Sequence, residues 1–178
     1  MKIGMLTSGG DCQGLNSALR GVAKALYYRF GKDVEIYGIR DGYRGLIYGD
    51  IQKMNPKDFS GILTLGGTIL GTSRQSFKTM CTPLEEFGGK TKLDKMLETC
   101  KKYKFDCLVI LGGNGTHKTA NLLAQNGINV VSLPKTIDND LWGTDMTFGF
   151  QSAVVIASNL IYCIHSTATS HGRVFIHA

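Results

Sequence analysis

Apolar positions along the chain follow two rhythms, short continuous runs and longer stretches at helical spacing, and glycines separate them. Residues Lys2 to Leu6 form a brief apolar run that stops at TSGGD. From Gly14 to Phe30, Leu15, Ala18, Leu19, Val22, Ala23 and Leu26 recur at the period of a helix. The unit is strand, glycine turn, helix. Val34 to Ile39 reads as a second strand, and the DGYRGL segment after it reads as turn. Pro56 is placed to open a short helix. The stretch from Gly61 to Ser73 mixes apolar residues and glycine too densely for assignment, and the chain up to Gly89 reads as a surface excursion.

From Lys92 to Tyr103 the positions of Leu93, Met96, Leu97 and Cys100 predict an amphipathic helix. DCLVIL, Asp106 to Leu111, has the continuous apolar character of a buried parallel strand. GGNGT follows, then a helix from His117 to Asn126, and INVVSL is expected as another buried strand ending at PKTIDND. Phe150, Val154, Ala157, Ile161 and Ile164 share one face of a long helix beginning near Thr147, and Val174 to Ile176 reads as the start of a further strand. Strands alternating with helices imply an α/β fold: a three-layer, doubly wound, mostly parallel sheet. In such sheets ligands sit beyond the carboxyl ends of the strands, where SGGD, GGNGT and PKTIDND all fall.

With 178 residues, 43% hydrophobic and 19% charged, one ordinary globular unit is the default, and wholesale disorder, collagen and coiled coil are excluded. No apolar run approaches the ~20 residues of a membrane span. The N-terminus lacks the pattern of a signal peptide, so a cytoplasmic, non-membrane protein is expected. Twenty Lys and Arg against fourteen Asp and Glu give +6, dispersed along the chain. No spacing or basic helix points to nucleic acid. Five cysteines without a CxxC pair read as buried, reduced thiols. Glycine is the informative excess: 23 of 178, about 13%, against ~7% usually.

Gly9 and Gly10 lie between a strand and a helix start, where backbone N–H groups can approach a phosphate, although a plain tight turn has the same residues. GGNGT repeats the arrangement and adds Asn114 and Thr116 as ligands or as a helix cap. Two such turns on one edge suit a polyphosphate. PKTIDND places the Asp138 and Asp140 carboxylates beside the Thr136 hydroxyl and the Lys135 ammonium. A carboxylate there can accept a hydroxyl proton during phosphoryl transfer, while the other orients it or binds metal. The competing reading is an Asx-turn stabilised by its own polar side chains. Arg74 and Lys78 are candidate phosphate clamps, and His171 and Arg173 close the long helix as cations at its C-terminus. His117, His165 and His177 show no metal spacing.

At these residues the chain resembles the phosphofructokinases. TSGGDCQGLNSALRG, DGYRGL, GGTILGTSR, LVILGGNGT, PKTIDND, TFGFQSAV and SHGR match the family's motifs in order. The resemblance implies a kinase that transfers the γ-phosphoryl of ATP, with Mg²⁺, to the 1-hydroxyl of fructose 6-phosphate. Asp138 would be the base, with Thr136 beside it and Asp140 supporting metal or transition-state charge. Gly9, Gly10, Arg74, Gln75, Gly113, Asn114, Gly115 and Thr116 would bind the donor; Thr136, Ile137, Asp138 and Arg173 would bind the sugar phosphate. In this family the arginine typically reaches across a subunit interface, which implies a homo-oligomer, dimer or tetramer.

Three departures from the family pattern modify that expectation. Asn114 replaces an aspartate that holds Mg²⁺, so the metal leans on Asp11, Asp138 and Asp140, with Asn114 a weaker ligand. Gly115 is of the ATP type whereas Lys135 is of the pyrophosphate type; the space at glycine favours ATP, with pyrophosphate as the alternative donor. Family members also continue into a second lobe. The expected organisation is therefore a donor lobe over 1–140 and, over 141–178, the long helix with the start of a truncated second lobe, weak or inactive alone; the alternative from a different class is a non-catalytic nucleotide-binding fragment.

Overall fold

A computed structural model describes residues 1–176; His177, which shows no metal spacing in the sequence, and Ala178 lie outside the described residues. The strands are β1 (Lys2–Ser8), β2 (Glu35–Ile39), β3 (Ile51–Met54), β4 (Cys107–Gly112), β5 (Val130–Thr136) and β6 (Phe148–Gly149). The helices are α1 (Leu15–Phe30), α2 (Tyr43–Tyr48), α3 (Lys92–Tyr103), α4 (Asn114–Gln125) and α5 (Phe150–His171). The strands form one sheet in the order β3-β2-β1-β4-β5-β6. Only β2 and β3 pair antiparallel, so the mixed, mostly parallel α/β sheet matches the expectation.

The period of two along each strand builds the layers. Ile3, Met5, Val109 and Leu111 point to one face, where Leu15, Leu19 and Ala23 of α1 cover them. Leu6, Leu108 and Ile110 point to the other, against Tyr43 and Leu46 of α2, Met96 and Cys100 of α3, and Leu123 of α4. Register then sets the functional edge. Ser8 of β1 lies opposite Gly112 of β4, Gly112 opposite Pro134 of β5, and Thr136 opposite Gly149 of β6. The loops after β1, β4 and β5 therefore leave the sheet at one level.

Several local expectations are corrected. DGYRGL is not a turn but opens helix α2, and β3 follows it as an edge strand. The helix after GGNGT starts at Asn114, three residues before His117. INVVSL is not a buried strand: β5 begins at Val130, and Val131 is 49% exposed. An apolar run records what a strand can bury; whether a layer covers it depends on the rest of the fold. Val174 to Ile176 is not a strand, because no neighbouring strand pairs with it.

The long helix is present, yet none of its residues is buried. It is long and apolar enough, by length and composition alone, to cross a membrane, a match the run-based reading missed because Ser, Thr, Asn and His interrupt the apolar residues. The cysteines are free but not uniformly buried: Cys81 and Cys163 are exposed, whereas Cys12 and Cys100 are inside. Burial pushes the Cys100 thiol up to about 12. It also raises that of Cys12, against the opposing pull of the Lys135 ammonium.

Candidate active site

Gly9 has φ +93, a left-handed conformation that side chains rarely adopt. Its N–H donates to the Ser73 carbonyl at 3.1 Å and its carbonyl accepts from the Thr72 hydroxyl at 2.6 Å. The glycine-rich stretch that resisted assignment is thus stitched to the loop after β1. This brings Arg74 over Gly10: a Cβ placed on Gly10 would lie 3.6 Å from an Arg74 guanidinium nitrogen.

Helix α4 supplies the second wall. Its N-cap is Gly113, and the first helical bond runs from His117 N–H to the Gly113 carbonyl at 3.0 Å. The N–H groups before it have no helical acceptor and sit at the positive end of the dipole. Thr116 is not the cap. It lies inside the first turn, where its hydroxyl donates to the Ser8 carbonyl at 3.2 Å and ties α4 to β1. Tyr43, 1% exposed, donates its phenol to the Thr116 carbonyl at 2.7 Å, and burial raises its pKa, keeping it neutral. Beside them, a Cβ on Gly115 would meet nothing within 4 Å.

The PKTIDND segment begins inside the sheet, since Lys135 and Thr136 are the last residues of β5 and both are buried. Lys135 is 5% exposed and donates to the Gly10 carbonyl. Among the described residues no carboxylate pairs with it. A buried ammonium with only carbonyl compensation creates a strong preference for an incoming anion. The turn beyond is held by other residues than its aspartates. Asp138 N–H donates to the Thr136 hydroxyl at 3.1 Å, and Asn139 sits at φ 52. The Asn139 amide oxygen accepts from Thr147 N–H at 2.9 Å, its amide nitrogen donates to the Asp145 carbonyl, and the Thr147 hydroxyl donates to the Thr136 carbonyl at 2.7 Å. The Asx-type stabilisation falls on Asn139, which leaves the exposed Asp138 and Asp140 carboxylates available.

These elements enclose a cleft of about 470 Å³. Gly9, Gly10, Arg74, Gln75, Gly113, Asn114, Gly115 and Thr116 line it, together with Asp11, Lys135, Thr136, Ile137, Asp138 and Asp140. Sequence reasoning missed Ser8 and Tyr43, which also line it. An aromatic residue inside DGYRGL was the available signal for Tyr43. Arg173 does not line the cleft; it follows Gly172, the α5 C-cap, and is exposed. Lys78 lies in a short 3-10 turn outside the lining.

A family model for phosphofructokinase matches residues 2–177. The chain belongs to the phosphofructokinase family. An ATP-dependent 6-phosphofructokinase of Spirochaeta thermophila is 59% identical over 174 residues, covering 97% of this chain and 47% of that protein. ATP-dependent 6-phosphofructokinase 3 of Bacteroides thetaiotaomicron is 48% identical, covering 99% of this chain and 51% of the relative. The chain therefore spans about half the length of the curated relatives it matches. Among solved structures, phosphofructokinase from Saccharomyces cerevisiae superposes with a TM-score of 0.77 at 30% identity, covering 97% of this chain and 25% of that one. A pyrophosphate-dependent phosphofructokinase from Nitrosospira multiformis shares the fold at TM-score 0.74 and 22% identity.

Proposed function

We propose that this phosphofructokinase chain is the donor-binding part of an ATP-dependent 6-phosphofructokinase. The observation that carries the reading is the shared cleft: Lys135, Arg74 and the α4 N-terminus collect positive potential where Asp138 and Asp140 stand free of the turn that positions them. The phosphates of ATP bind along Gly9–Gly10 and Gly113–Thr116, with Arg74 and Gln75 on the rim. The Asp138 carboxylate accepts the proton of the 1-hydroxyl of fructose 6-phosphate as that oxygen bonds to the γ-phosphorus. The bond from the γ-phosphorus to the β,γ-bridging oxygen breaks, and ADP leaves.

Asp11, Asp138, Asp140 and the Asn114 amide oxygen are hard oxygen donors suited to Mg²⁺. Among the described residues no three His, Cys, Asp or Glu side chains cluster tightly enough to form a metal cage. When bound, Mg²⁺ supplies charge neutralisation on the phosphates.

The rest of the reading extends what the family resemblance implies. Residues 1–140 form the donor lobe, and 141–178 lead toward a second lobe in which Arg173 contacts the sugar phosphate. The protein works in the cytoplasm, as its free cysteines suit, and as a dimer or tetramer. Open space at Gly115 favours ATP, and pyrophosphate, the donor that the family pattern associates with a lysine at Lys135, is the alternative.

The test joins this chain to the second half of a relative and assays ADP formation dependent on fructose 6-phosphate. Activity that Asp138→Asn lowers by about 10²- to 10⁴-fold, at unchanged ATP affinity, supports the assignment. Turnover indifferent to Asp138→Asn refutes it.

A further inference from the structure

We infer that Lys92, which reaches the cleft residue Gln75 from behind, is a positioning residue that sets the orientation of Gln75 toward the phosphoryl donor. The inference rests on the donor-cleft reading above and adds a residue that does not line the cleft itself. Lys92 is the first residue of α3, half-buried, and its ammonium donates to the Gln75 amide oxygen at 3.0 Å and to the Thr79 hydroxyl at 3.3 Å. A cation in the first turn of a helix opposes the helix dipole. Lys92 occupies that position next to the N-cap Thr91, whose capping box with Asp94 already satisfies the helix start. Its side chain is not needed to begin the helix.

The consequence is chemical. A primary amide has one accepting oxygen and two donating N–H bonds. Without a partner, Gln75 could present either end to the cleft. Lys92 occupies the oxygen, so the end of Gln75 that remains free is the donating NH₂ group. A fixed N–H donor suits phosphate oxygens, whereas an exposed amide oxygen would repel them. Lys92 and Gln75 belong to different segments, α3 and the loop after Arg74, so the pairing is a tertiary contact.

The experiment is a calorimetric titration of the purified chain with Mg-ATP, for the parent and for Lys92→Met, Lys92→Arg, Gln75→Ala and the double variant Gln75→Ala with Lys92→Met. Losing one oriented hydrogen bond weakens binding about three- to tenfold. Lys92→Met is expected to show that loss, and Lys92→Arg to recover most of it. In the Gln75→Ala background Lys92→Met should cost nothing further, the signature of a residue acting through another. An equal loss in both backgrounds overturns the proposal, since Lys92 would then act directly by its charge. Unchanged affinity in Lys92→Met also overturns it.

A second measurement reads the contact without ligand. The side-chain amide resonances of Gln75 should be shifted from free-glutamine values in the parent and move toward them in Lys92→Met; free values in the parent refute the positioning role. A parent that shows the ordered amide but binds neither Mg-ATP nor Mg-pyrophosphate brings down the donor-cleft reading, and the proposal with it.

Discussion

The buried hydroxyl of Thr147 donates to the carbonyl of Thr136 across 2.7 Å, joining the end of β5 to the residue before β6 at the base of the turn that carries Asp138 and Asp140. Both residues are at most 9% exposed. Thr147 N–H also donates to Asn139, so one residue anchors the turn from two sides. Replacing Thr147 by Val keeps the shape and strands a buried carbonyl. The expected loss is about 1–3 kcal/mol in urea denaturation. A variant as stable as the parent would show that water replaces the bond.

Gly115 tests the choice of phosphoryl donor. Space around its Cβ position is open, and an acidic residue in the first turn of α4 complements the helix dipole. Gly115→Asp should therefore keep the melting temperature. Mg-ATP affinity should fall at least about tenfold, or 1.4 kcal/mol, through crowding and like charge, while Mg-pyrophosphate affinity falls less. Calorimetry with both ligands measures the ratio.

Glu98 gives a pH signature. Hydrogen bonds from Lys90 and then Lys95 lower its pKa from the ordinary value of 4.5 to about 2. Because the folded carboxylate holds its proton less tightly than the unfolded one, its stabilisation is complete above about 4.5 and disappears as pH falls toward about 2. The group is on the surface and the contribution is small. Urea midpoints followed from pH 6 to pH 3 should decline less in Glu98→Gln than in the parent, and equal slopes would remove Glu98 from the acid response.

Helix α5 should behave as an uncovered apolar surface. Leu160 and Ile161 are 53% and 59% exposed, and the helix carries no Asp, Glu, Lys or Arg. An exposed apolar helix face is stable when something covers it. The purified chain should bind a hydrophobic fluorescent dye, and Leu160→Lys with Ile161→Glu should reduce the signal several-fold. An unchanged signal would place the dye site elsewhere, for example on the exposed face of β5 around Val131.

The glycine loops, the aspartates and the strand–helix alternation were legible because each is local: a run length, a helical period or a turn composition. Three features were not. DGYRGL forms a helix because Tyr43 and Leu46 find the core under β1 and β4, a tertiary reward that overrides two glycines. The Gly61–Ser73 stretch is ordered by partners distant in sequence, among them Asn16 accepting from Ile69 N–H at 2.9 Å and Gly9 bonding Ser73. Thr116 has the composition of a cap, yet its hydroxyl is drawn to Ser8, more than a hundred residues earlier.

By itself the sequence determined the α/β architecture and named the candidate site residues, since strand period, helix period and the phosphate-binding use of glycine are properties of short segments. Tertiary structure decided which of them meet. Parallel register between β1, β4 and β5 brings the three loops into one cleft, and the bonds of Asn139 and Thr147 free the aspartates for it. It also decided that Arg173 stands apart and that α5 and β5 keep exposed apolar faces, because burial depends on what the chain finds opposite it and not on how apolar a segment is.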